Sequence, residues 1–117
     1  MGEMQWFLQE NNHLPKNQKI FVSERFVKEG TPILWEIRAV SATELQDLDD
    51  AEKVCAEAVV VPDLKDKRLL ESYGVDDATT LLKKMLTPVE YYRLLSASKA
   101  LNGYQERKET IKEKAKN

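Results

Sequence analysis

The chain changes its period at Ser41. Before that point, "ILWEIRAV" puts Ile33, Trp35, Ile37 and Ala39 on one face and Glu36 and Arg38 on the other. This is the two-residue alternation of a strand with one buried side. After it, "SATELQDLDDAEKVCAEAVVV" opens on Ser41 with Glu44 three residues later, a helix-start pair in which each residue satisfies the other's backbone amide. Leu45, Leu48, Cys55 and Val59 then recur at helical spacing, with Glu52 filling the gap. The switch divides the chain into a strand-forming N-terminal part and a helical remainder.

The strand needs a partner. "KIFVSERFV" carries Ile20, Val22 and Phe26 at even spacing, and "KEGTP" supplies Gly30 for a turn and Pro32 near a strand start. An antiparallel hairpin over about residues 19–40 follows. A lone hairpin is marginal in water, so its apolar face must pack on the helices downstream. The fold class expected is α+β, mostly helical, with the N-terminal antiparallel β-hairpin on a small C-terminal helical bundle over about residues 41–104. Met4 to Asn11 reads as a short helix, and "NNHLPKNQ" as a loop.

Within the helical half, Pro62 ends the first long helix at or before Val61. Asp63 then serves as a turn or N-cap residue, and "LKDKRLLESY" forms a short helix with Leu64, Leu69 and Leu70 inward. Gly74 stops it in the left-handed conformation, with Val75 making the accompanying apolar contact. Asp76 or Asp77 caps the next helix, whose stripe is Ala78, Leu81, Leu82, Met85 and Leu86. The last core helix starts at "TPVE", with Thr87 as cap, Pro88 at the first position and Glu90 closing a second capping box. Tyr91, Leu94, Leu95 and Leu101 face the core, and Gly103 ends it. Residues 1–104 read as a single domain. Residues 105–117 form a charged tail with Ile111 as its one sizeable apolar residue, a frayed helix or disordered segment.

The net charge of −2 gives no field that favours nucleic acid or anionic lipid. No apolar run is long enough to span a bilayer. The N-terminus carries Glu3 and Glu10 without a basic region and does not read as a secretory signal. One cysteine, Cys55, cannot form an internal disulfide and fits a reducing compartment. These features describe a soluble intracellular protein.

Catalytic chemistry has little to work with. His13 and Cys55 are the only soft metal ligands, no calcium-loop spacing occurs, and four glycines are too scattered for a phosphate loop. His13 lies in a loop, and Cys55 falls on the apolar phase of a helix as a structural thiol. Asp63 caps rather than acting as a base. Lys83, Lys84 and Arg93 read as a solvated face. Catalytic, cofactor and metal residues are therefore expected to be none. Trp6 and Phe7 stand on a segment too small to own a core, and a hairpin has open edges. Both point to protein binding.

The order of pieces adds a resemblance. "FLQEN", "VSERF", "ILWEIRAVS" and then "AVVVPDLKDKRLLESYGVDDATTLLKKMLTPVEYYRLLSASKALNGY" resemble, in the same order, the XkdN-like phage tail assembly chaperones of phages and prophages of Gram-positive bacteria. The resemblance covers roughly Met4 to Tyr104. One departure stands out: between "RAVS" and "VPDL" the family usually carries a longer, often basic stretch, whereas "ATELQDLDDAEKVCAEA" is short and acidic. The resemblance implies a non-enzymatic protein that binds the tape measure protein and helps recruit tail tube subunits. It implies action in the cytoplasm of the bacterial host and absence from the mature virion. The residues assigned to partner contact are Trp6, Phe7, Phe21, Trp35 and Tyr92, aromatics that the helical core does not need. The sequence leaves open whether the chain is a monomer or a homo-oligomer. A prophage adaptor that binds a host protein is the competing reading.

Overall fold

The computed structural model describes residues 2–102. Five strands and five helices follow one another: β1 (Gln18–Ile20), β2 (Val27–Lys28), β3 (Thr31–Pro32), β4 (Trp35–Ile37), α1 (Ala42–Leu45), α2 (Ala51–Ala58), β5 (Val59–Val61), α3 (Lys67–Tyr73), α4 (Ala78–Met85) and α5 (Pro88–Asn102). The architecture is α+β and mostly helical, as the period switch implies. An N-terminal arm with two short 3₁₀ turns, Met4–Phe7 and Gln9–Asn11, precedes β1.

The expected hairpin forms in two pieces. β1 pairs antiparallel with β4, with Ile20 opposite Trp35 and Gln18 opposite Ile37. The ribbon then breaks and resumes as the two-residue strands β2 and β3, Lys28 opposite Thr31. Glu29 and Gly30 close it with φ of 52° and 83°, the positive values that a tight turn between right-twisted strands requires. Gly30 adopts this conformation freely, and Glu29 does so against its Cβ. The break spans residues 21–26, where Ser23 and Arg25 bond a helix instead of a strand.

A second correction concerns the first long helix, expected to run unbroken from Ser41 toward Val61. The capping box at Ser41 is present, with Glu44 N donating to Ser41 Oγ and Ser41 N donating to the Glu44 carboxylate, but α1 lasts one turn. The aspartates of "QDLDD" compete with helical hydrogen bonding, and Asp50 caps a fresh start by accepting from Lys53 N at 2.8 Å. The three valines after Ala58 are then a strand. β-branched residues favour extended backbone, and β5 adds antiparallel to β4, with a bulge between Glu36 and Ile37. The three-stranded sheet therefore runs β1-β4-β5.

The core lies between this sheet and the helices. Trp35, Ile37 and Ala39 point inward from β4 and the residues after it, and Val22 joins them. α2 packs on α4 and α5, and α3 on α4, supplying Val54, Cys55, Leu81, Leu82, Met85 and Leu94. Helix ends are satisfied from the sequence. Asp66, rather than Asp63, caps α3 through the amides of Arg68 and Leu69. Asp63 makes the preceding turn by accepting from Lys65 N. Gly74 (φ 67°) donates to Glu71 O while Val75 N donates to Leu70 O, the left-handed stop expected there. Asp77 caps α4 and the Thr87–Glu90 box starts α5. At the far end of α5, Asn102 Oδ1 accepts from Val40 N at 2.8 Å, which ties this helix to the strand-to-helix switch. The Gly103 stop and the tail lie outside the described residues.

Candidate partner-binding site

β4 carries Trp35 into the core, and the ribbon, β5 and α3 rise around it. They enclose a cleft of about 340 Å³. Phe26 and Ile33 come from the ribbon, Val61 and Pro62 from the end of β5, and Leu69, Ser72 and Tyr73 from α3. Trp35 and Met85, 2% and 5% exposed, form its floor. Ser72, Tyr73 and Trp35 are the lining residues that carry a polar side-chain group, one each. A cleft so poor in converging polar groups suits an apolar side chain better than a small polar substrate. Beside it, sharing Pro62, Leu69 and Ser72, lies a shallower depression whose polar members are Asp63, Asp66 and Arg68.

A charged knot holds the cleft wall in place. The Phe26 ring lies tilted on Trp35, with centroids 6.4 Å apart, and the Arg25 guanidinium stands 5.1 Å from the Phe26 centroid. Arg25 donates to both Glu90 carboxylate oxygens and, at 2.6 Å, to Met85 O. Ser23 Oγ donates to the same carboxylate at 2.6 Å. Glu90 thus closes the capping box of α5 and fixes residues 23–26. Arg25, then Ser23 and the Thr87 amide hold its carboxyl well below the usual range. A second fork follows the end of β4, where Arg38 bonds Glu44 at 2.6 Å and Glu57 at 3.1 Å. Arg38, followed by the Ser41 amide, lowers the Glu44 carboxyl to about 2.

The five residues assigned to partner contact differ in exposure. Trp6 and Phe7 are 66% and 81% exposed on the arm, where residues 2–19 are all exposed. Phe21 (40%) and Tyr92 (71%) are also open to solvent. Trp35 is not an exposed contact residue. It is a core residue, and only the part that floors the cleft is within a partner's reach. Arg93 is exposed, as expected of a solvated face, but it also has partners. Its guanidinium stands 5.0 Å from the Phe21 centroid and donates to Val22 O at 2.6 Å, so it fastens the strand loop to α5. Lys83 is likewise paired, with Glu52 at 2.6 Å.

Phe26, Ile33, Tyr73 and Met85 were not assigned to partner contact from the sequence, where Phe26, Ile33 and Met85 stand only as apolar-face residues. Their cleft depends on contacts distant along the chain, and only the alternation through Ile33 and Trp35 hinted at it. Cys55 is fully buried, and burial, partly offset by Ser98, pushes its thiol up to about 12. No group of three or more His, Cys, Asp or Glu among the described residues could hold a metal ion.

A family model described as phage XkdN-like tail assembly chaperone protein matches residues 46–116, more than half of the chain. The chain belongs to this family. In this tail assembly chaperone the match takes in everything described from α2 to the end of α5, including the α3 side of the cleft. The fold is also that of the crystal structure of the protein yqbn, a structural genomics target, with a TM-score of 0.81 at 21% identity over 88% of this chain and 98% of that one. A comparison with curated proteins finds no match. Membership implies phage proteins as partners. No helix among the described residues is long and apolar enough to cross a membrane.

Proposed function

We propose that this chain is a non-enzymatic tail assembly chaperone that binds the tape measure protein and helps bring tail tube subunits to it. It does so in the cytoplasm of the infected or lysogenic host and does not remain in the mature virion. Family membership is the observation that carries this reading. The surface supports it. A client with apolar stripes needs somewhere dry to place them, and the cleft over Trp35 offers aromatic and aliphatic lining with scarcely a polar group. Trp6, Phe7, Phe21 and Tyr92 add exposed apolar area of the kind that anchors interfaces. The cleft accepts an apolar anchor from a client helix, and the exposed aromatics extend the contact. Tube subunits displace the chaperone as they pack around the client.

Co-expression with the tape measure protein of the same phage or prophage tests this. The expected result is a soluble complex with several copies of the chain on each tape measure protein. A tape measure protein that stays insoluble while this chain elutes alone, with a host protein captured instead, would overturn it in favour of a prophage adaptor.

A further inference from the structure

The N-terminal arm and the cleft have matching chemistry, and among the described residues none covers the arm or occupies the cleft. Met4, Trp6, Phe7 and Leu8 follow one another closely on the arm and stand 70%, 66%, 81% and 46% exposed, and neither 3₁₀ turn buries a residue. The cleft is about 340 Å³, room for a large aromatic side chain, and is lined by Phe26, Trp35 and Met85, residues that suit one. We propose that this chain forms a two-fold dimer in which each copy lays its arm on the other, seating one of Trp6 and Phe7 in the partner copy's cleft over Trp35 and packing the other at the cleft rim.

Area decides for a reciprocal exchange. Two large aromatics bury about 150–250 Å² each, so one arm and the cleft surface it covers remove roughly 600–1,000 Å² from water, below a stable interface. A one-way contact of that kind would also leave a free arm and a free cleft at its ends and propagate as an open chain. Two arms exchanged about a two-fold axis come to roughly 1,200–2,000 Å², the size of a standard specific interface, and leave neither arm nor cleft uncovered. The dimer follows from arm and cleft alone, whatever the identity of the client, so it can fail or hold independently of the chaperone reading. If both hold, the client must displace the arms.

Sedimentation equilibrium of the full chain over a concentration series tests the proposal, with two variants in parallel. Trp6→Ala with Phe7→Ala removes the arm's anchors. Ser72→Arg places a long charged side chain at the cleft rim from an exposed α3 position. Neither change touches the core, and unchanged melting temperatures check this. The expected result is a reversible dimer for the native chain, weakened by about thirtyfold or more in each variant, as loss of central anchors does. A photo-crosslinker at position 6 should join two copies, with the product mapping to residues 26–35 or 61–73. A native chain that is monomeric at the highest attainable concentration, a dimer indifferent to both variants, or a crosslink within one chain would overturn the proposal.

Discussion

Glu90 performs three tasks with one carboxylate. It caps α5, takes the Arg25 guanidinium and accepts the Ser23 hydroxyl. The break in the ribbon and the position of Phe26 over Trp35 both depend on it. Glu90→Gln leaves the shape and removes the charge. The expected outcome is a lower melting temperature and a weakened Phe26 wall, seen as faster exchange of amides 23–27. The acid limb carries the same signature. Glu44 and Glu90 are both held below their usual values. Their contribution is complete above the unfolded pKa of about 4.5 and is lost as pH falls, for Glu44 through about 2. Thermal melts from about pH 6 to about pH 2 should therefore show stability falling below about pH 4.5, with a shallower fall in Glu44→Gln. Cys55 acts at the alkaline end. Its raised thiol keeps its proton in the folded state after the unfolded chain has lost its own, so stability drops as pH rises from about 9 toward 12. Trp35→Ala removes the largest core side chain and the cleft floor together, at about 3–5 kcal/mol, measured by denaturant unfolding.

At the scale of elements, most helix boundaries were legible because their signals are local. Ser41 with Glu44, Asp77, Thr87 with Glu90, and Gly74 each act within a few residues, and each sits where its chemistry placed it. Gly74→Ala should cost about 1–2 kcal/mol in thermal unfolding, since only the left-handed backbone opposes it and an added Cβ meets no atom within 4 Å. The errors came where local and distant forces compete. "CAEAVVV" keeps helical spacing through Val59, yet β5 forms because Ile37 and Glu36 offer a strand to pair with. Likewise, even spacing in "KIFVSERFV" says nothing of Ser23 and Arg25 bonding a carboxylate 67 and 65 residues away. The same reason hid half of the cleft: Trp35 was visible as an aromatic, but Tyr73 and Met85 reach it only through the packing of α3 and α4. Hydrogen exchange separates the two descriptions of residues 41–61. Slow exchange at β5 and α2, with faster exchange at the junction around Asp50, fits two helices and a strand; uniform protection throughout would fit one long helix.

At the scale of the molecule, the sheet and helices form a rigid seat for one apolar cleft, and an exposed aromatic arm lies outside it. That division suits a chaperone, whose surface must be apolar enough to hold a client yet coverable when the client is absent. On the proposed function, a tail assembly client binds in the cleft over Trp35. Hydrogen exchange on the chain alone, diluted to the monomer so that its cleft is open, and in complex with its tape measure protein tests this. New protection is expected at residues 26–35 and 61–73 in the complex. Protection confined to surfaces away from these segments, with the cleft unchanged, would contradict it.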